Sequence, residues 1–152
     1  MRKLRNLIGM PVVMDGRKIG RLVQAELSDD LCELSGVWID AGLFGTRHIP
    51  SENLEMIGQL AVTADSRGER KRCKAAFPSF RAVSTDGRRL GAISGAEIDE
   101  LTFRVQALEL SGGFWDDIYS GRSRVYRYRF DPESKTVIVL DSTEANEKED
   151  KA

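Results

Sequence analysis

Asp15-Gly-Arg-Lys-Ile-Gly20 and Asp86-Gly-Arg-Arg-Leu-Gly91 are nearly the same six-residue phrase written twice, and their spacing decides how the chain is read. The offset is 86 − 15 = 71 residues, and the register then runs without a gap to Gly42 and Gly113. Along the way Ala25-Glu26 falls on Ala96-Glu97, Leu27 on Ile98, Leu34 on Val105, Val37 on Leu108 and Ile39 on Leu110. A chance echo would not keep apolar positions in phase beyond itself. Self-similarity at a fixed offset marks a duplicated module.

Each phrase sits between β-prone runs, residues 11–14 and 17–22 in the first copy and 82–85 and 88–93 in the second. Asp-Gly between such runs predicts a two-residue hairpin of type I′, with positive φ at both central positions. Gly20 and Gly91 recur at one strand position, where glycine marks a bulge or a tight bend. In the next strand the apolar positions are Cys32, Leu34 and Gly36, after which the phase shifts to Val37 and Ile39. The second copy shifts likewise, from Phe103, Val105 and Ala107 to Leu108 and Leu110. A one-residue slip reverses the faces of a strand, so bulges are expected near Gly36-Val37 and Ala107-Leu108. Cys32 is read as a small buried hydrophobe of that strand.

Strands that bend at bulges are what a small closed barrel needs. Residues 60–63 and 136–140 read as closing strands, and 131–134 as a turn. Residues 124–130 read as one alternating strand, with Tyr126, Tyr128 and Phe130 opposite Val125, Arg127 and Arg129. Residues 51–56 suggest one helical turn capped by Ser51. No segment sustains a 3.6-residue period. The expected fold is all-β: two small β-barrels in tandem, with short helical turns at most.

The chain has 152 residues. Halves of about 70 residues lie near the lower limit for independent folding. The expected division is a first barrel over 1–66, a basic solvated linker over 67–75, a second barrel over 76–142 and a disordered acidic tail over 143–152. Lys and Arg number 23 against 24 Asp and Glu, a net charge of −1. That balance argues against a dedicated nucleic-acid binder, which carries a large positive excess. Two cysteines make neither a disulfide framework nor a metal site. Cys73 lies in Arg67-Gly-Glu-Arg-Lys-Arg-Cys-Lys74, where neighbouring cations favour its thiolate, so a reactive thiol is one reading and a free cytosolic thiol the other. No stretch approaches the ~20 apolar residues of a membrane span. Asn6, Gly9, Pro11 and Asp15 interrupt the basic amino terminus, and no small-residue cleavage site follows. A cytoplasmic protein is expected.

Leu7-Ile-Gly-Met-Pro-Val-Val13, Asp-Gly-x-x-Ile-Gly-x-Leu, an apolar strand and then Arg47-His-Ile-Pro50 together resemble the PRC-barrel domain. That module is named after the photosynthetic reaction centre H subunit and also occurs in the ribosome-maturation factor RimM. The resemblance covers about residues 4–66, and the second copy through Gly113. It implies small β-barrels that make protein–protein contacts in larger assemblies, with no catalytic residues to carry over. The sequence has neither the transmembrane helix of the H subunit nor a separate RimM-like amino-terminal domain.

His48 is the only histidine, and a lone histidine beside a strand reads as structural or solvated. Gly-rich 111–113 lacks the lysine and helix of a phosphate loop. Asp29-Asp30 and Asp116-Asp117 read as solvated turn residues, because a calcium loop needs a longer run of alternating ligands. No catalytic residue, metal site, cofactor or small-molecule substrate is expected. Two surfaces carry functional interest. Gly42-Leu43-Phe44-Gly45 aligns with Gly113-Phe114-Trp115-Asp116, so both copies place two large apolar residues after a glycine. Leu43, Phe44, Phe114 and Trp115 are candidate anchors for a protein partner; the alternative is that they plug barrel ends or form the barrel–barrel interface. The second surface is basic: Arg70, Lys71 and Arg72 in the linker, with Arg122, Arg124, Arg127 and Arg129 among tyrosines. It suits an RNA or ribosomal partner, against the plainer reading of a half-buried strand with a charged exterior.

Overall fold

The computed structural model describes residues 1–73, 80–111 and 123–140. Among them there is no α-helix, only strands and three short 3-10 turns. The fold is all-β and divides into two compact units. The first comprises Met1–Phe77 with Ile98–Val105, and the second Pro78–Glu97 with Gln106–Ala152. The expected acidic tail lies outside the described residues.

In the first unit β1 (Arg2–Lys3) precedes β2 (Pro11–Met14), β3 (Arg17–Leu27), β4 (Leu34–Asp40), β5 (Thr46–Pro50), β6 (Leu54–Ile57), β7 (Val62–Ala64) and β8 (Glu69–Arg70). The sheet formed by β2 to β8 has the order β6-β7-β2-β3-β4-β5-β8. The second unit contains β9 (Arg81–Ser84), β10 (Arg89–Ile98), β11 (Val105–Ser111), β12 (Ser123–Val125), β13 (Tyr128–Asp131) and β14 (Thr136–Val139). Their order is β12-β11-β10-β9-β14-β13. Read from the other edge, this reproduces the first six strands of unit one, place for place. The parallel closing pairs agree as well: β2 with β7, and β9 with β14. The duplication therefore extends through the region where sequence similarity fades.

Local chemistry explains the hairpins. Asp15 and Gly16 take φ of 51° and 77°, as a type I′ turn requires. The second hairpin differs, because Asp86 is not among the positive-φ residues although Gly87 is. Ser84 bonds through its hydroxyl to the Asp86 carboxylate and accepts the Arg88 N–H at 3.1 Å, which converts the turn into a longer serine-braced loop. Both glycine bulges form. Val12 pairs with Gly20 and Val13 with Lys18, leaving Ile19 extra; Arg89 pairs with Val83 and Gly91 with Ala82, leaving Leu90 extra. Glu26 faces Gly36 while Leu27 faces Leu34, so a further bulge falls at Ser35, beside the expected position.

Each unit has its own core. Leu7, Val12, Leu22, Trp38, Ile39, Ile49 and Val62 are fully buried in the first; Ala82, Ile93, Leu108, Val137 and Val139 are buried in the second. At about 25 cal/mol per Å² of apolar surface removed from water, such side chains supply the main driving force.

Four expectations are corrected. Cys32 is exposed in the bend before β4, and Leu31 is buried instead, at φ 61°. The cationic stretch after residue 66 is not wholly a linker, since β8 pairs with β5 through Arg47–Arg70 and His48–Glu69. Residues 124–130 are not one strand: the chain bends at Tyr126-Arg127, with β12 on β11 and β13 on β14. Ser51 begins a three-residue 3-10 turn but makes no side-chain cap.

Unit one also holds the segment Ile98–Val105 through an isolated bridge from Glu33 to Arg104. These residues are counterparts under the repeat, since 104 − 33 = 71. The flanking bonds are reciprocal: Leu34 N–H donates to Phe103 O at 2.8 Å and Val105 N–H to Cys32 O at 2.9 Å. Arg2 secures the same segment, reaching Glu100 with two nitrogens at 3.3 Å.

Candidate functional site

β4 ends at Asp40 and the chain reverses through the 3-10 turn Gly42–Phe44 into β5. The turn is pinned from within. Gly42 N–H donates to Asp40 Oδ1 at 2.9 Å, Ala41 N–H to Gly45 O at 2.9 Å and Gly45 N–H to Gly42 O at 3.0 Å. This bracing points the two apolar side chains outward: Leu43 is fully exposed and Phe44 is 64% exposed. The barrel-plug reading does not hold for Leu43 and Phe44. Phe114 and Trp115 lie outside the described residues.

Basic side chains gather around Phe44. The Arg67 guanidinium lies 6.0 Å above the ring centroid, within cation–π range. Arg70, brought alongside by β8, lies against Gly45, its Nε 3.1 Å from where a Cβ would stand. Arg47 faces inward along the edge, its Nε donating to Arg67 O at 2.9 Å and another nitrogen to Gly68 O. Arg47 thus fastens the chain that carries the other two. Arg67, Arg70, Lys71 and Arg72 are all exposed, and none has a carboxylate partner among the described residues. Beside Phe44 is a hollow of about 200 Å³, lined by Ile19, Ile39, Ala41, Phe44, Arg47 and Arg67. Its floor is aliphatic and its wall cationic.

The structure therefore joins Leu43 and Phe44 with Arg70 and the start of the basic stretch, two groups that the sequence reading kept apart. It does not gather the late arginines in the same way. Arg124 on β12 pairs with Glu97 at 3.0 Å, while Arg129 lies on β13 at the other end of the sheet path. Arg127 is exposed at the bend between them, and Arg122 lies outside the described residues.

A second arrangement went unnoticed in the sequence. His48 on β5 is half-buried, 4.6 Å from the Trp38 ring and 3.5 Å from Glu26 Oε1, and Ser35 donates to the same oxygen at 3.0 Å. In the second unit the repeat counterparts Glu97 and Glu109 are buried, with Arg124 opposite Glu109 as His48 is opposite Trp38. Each unit thus holds a strand-three glutamate with a cationic or titratable partner. Hydrogen bonding to Tyr126, then the charge of Glu97, raises the Arg124 pKa further. Glu26 matching Glu97 was the available signal. Cys73 lies near this group, and burial followed by the Glu26 charge pushes its thiol above the ordinary range. Its environment opposes the thiolate, contrary to what its cationic neighbours suggested.

Among the described residues no three His, Cys, Asp or Glu side chains converge to hold a metal ion, and no helix is long and apolar enough to cross a membrane. Comparison with protein-family models and with curated proteins finds no match to this chain.

Proposed function

We propose that the protein is a non-catalytic, cytoplasmic binding module of PRC-barrel type, acting in a larger assembly through the Leu43–Phe44 turn. One observation carries this reading: two large apolar side chains stand in solvent on a turn held by its own hydrogen bonds. Exposed aromatic anchors on rigid supports dominate protein interfaces, and preorganisation removes part of the entropy cost of binding. The only histidine is built into the sheet beside Trp38, where it braces strands.

The test is capture from native lysate with the wild-type chain and with Leu43→Ser/Phe44→Ser. A protein retained by the first and lost from the second, at unchanged melting temperature, supports the reading. Identical captured sets refute it. That Arg67, Arg70, Lys71 and Arg72 have no carboxylate partner among the described residues favours a second reading, an RNA or ribosomal partner. In that case the captured material is released by ribonuclease.

A further inference from the structure

We propose that the hollow beside Phe44 takes an acidic peptide segment bearing one large apolar side chain, flanked by aspartate or glutamate. This deepens the docking reading above and rests on it. The argument begins with charge. The chain is close to neutral, yet four cations in six residues, Arg67 to Arg72, remain without carboxylate partners among the described residues. The surplus is local and sequential: these cations share one short stretch beside the apolar turn. A local positive surplus left on a neutral protein is complementary to an anionic partner.

Shape supplies the second argument. The hollow measures about 200 Å³ and has Ile19, Ile39 and Ala41 among its lining residues. Apolar cavities of about 150 Å³ accommodate a benzene ring, so this one receives a single phenylalanine or leucine side chain. Arg67 and Arg47 form its cationic wall, and Arg70 sits beyond Phe44 at Gly45. An apolar group entering the hollow would carry its neighbouring residues past Arg67 and Arg70, where carboxylates would meet planar guanidinium donors.

The same features favour a peptide over single-stranded RNA. Nucleic-acid platforms stack successive bases on aromatic faces. Here one face of the single ring is occupied by Arg67, and the most exposed neighbour is the aliphatic Leu43.

The experiment uses the full chain and fluorescence anisotropy with four labelled probes. These are a peptide with one phenylalanine flanked by aspartates and glutamates, its lysine-for-acid counterpart, its alanine-for-phenylalanine counterpart, and a single-stranded RNA of similar length. The acidic phenylalanine peptide is expected to bind best. Either Phe44→Ala or Arg67→Glu should raise its Kd about tenfold, as loss of an interface anchor or reversal of an interfacial charge does. Arg67→Gln gives a smaller rise, and the Arg67→Glu/Arg70→Glu chain gains affinity for the lysine peptide. Equal binding of acidic and lysine peptides overturns the acidic partner while leaving an apolar docking site. Tighter binding of RNA than of any peptide overturns it in favour of a nucleic acid. Binding of no probe overturns the inference alone, because the Leu43→Ser/Phe44→Ser capture result decides the docking reading separately. Melting curves of each variant, unchanged from wild type, exclude misfolding as the cause.

Discussion

Gly20→Ala tests whether the bulge in β3 is a true close approach. Gly20 and Arg21 lie against the end of β4, with Arg21 facing Asp40. A Cβ on Gly20 would stand 2.7 Å from the Asp40 carbonyl oxygen, 3.0 Å from Ile39 Cδ1 and 3.2 Å from the Asp40 carbonyl carbon. Ordinary carbon–oxygen contacts lie at about 3.3 Å or more, so the two strands must separate by roughly half an ångström. The obstacle is backbone and cannot rotate away. Overpacking of this kind costs about 1–3 kcal/mol. Alanine also restricts the unfolded chain, which returns about 0.4–1 kcal/mol. The net loss is then about 1–2 kcal/mol, a fall of about 5–15 °C in the melting temperature of a unit this small. Urea unfolding followed by tryptophan fluorescence measures it, with buried Trp38 close to the strain. Gly16→Ala is the comparison: nothing lies within 4 Å of its Cβ, but φ is +77°, a conformational cost of about 1–2 kcal/mol. A Gly20→Ala protein melting within about 1 °C of wild type would refute the close-approach argument. The strain should also reach the apolar turn, because Asp40 caps Gly42; amide shifts over residues 42–45 report it.

Other outcomes follow from the same geometry. Trp38 is buried with no acceptor for its indole N–H among the described residues. Trp38→Phe removes that orphan donor and should cost less than about 1.5 kcal/mol, whereas Trp38→Ala should cost about 3–5 kcal/mol; chemical denaturation separates them. The Ser28 hydroxyl, then the Cys32 amide, hold the Asp30 pKa below the ordinary aspartate value. A depressed folded pKa contributes stability that is complete above the unfolded value and disappears as pH falls through the folded one. Ser28→Ala should therefore lower the melting temperature more at neutral pH than in strong acid, where Asp30 is protonated and only the bonds from the Cys32 and Glu33 amides are lost. Alkylation should proceed more slowly at Cys73 than at a free thiol of equal concentration, since burial and Glu26 raise its pKa. A faster rate, followed by peptide mapping, contradicts that environment.

The parts legible in the sequence are those where one residue type answers one backbone demand. Asp15-Gly16 specified its turn because positive φ at two successive positions admits few residues. Gly20 and Gly91 marked their bulges for the same kind of reason. Leu43 and Phe44 were visible as apolar residues after a glycine, although their exposure depends on bonds made by Asp40 and Gly45. β8 left no apolar pattern because its two residues are both exposed and it is held by backbone pairing. Its one signal was Gly68, whose φ of 70° lets the chain pass against the His48 carbonyl. The break at Tyr126-Arg127 was hidden by an alternation of side chains that continues straight across it. Cys32 misled because Leu31, one place earlier, turns inward through a left-handed backbone. In the second hairpin, Ser84 outcompeted the Asp-Gly preference by bonding the loop itself.

The parallel pair of β2 with β7 has a consequence for the order of events during synthesis. Val12 meets Val62 across 62 − 12 = 50 residues of chain, whereas β2 meets β3 across a two-residue loop. A growing polypeptide can zip the early hairpin as it emerges, but one rim of β2 stays bare until β7 arrives. A stall short of that point would leave an unpaired, Val12-bearing rim available to a neighbouring chain. β7, made well after its partner, thus doubles as the unit's protection against sticking to its own kind.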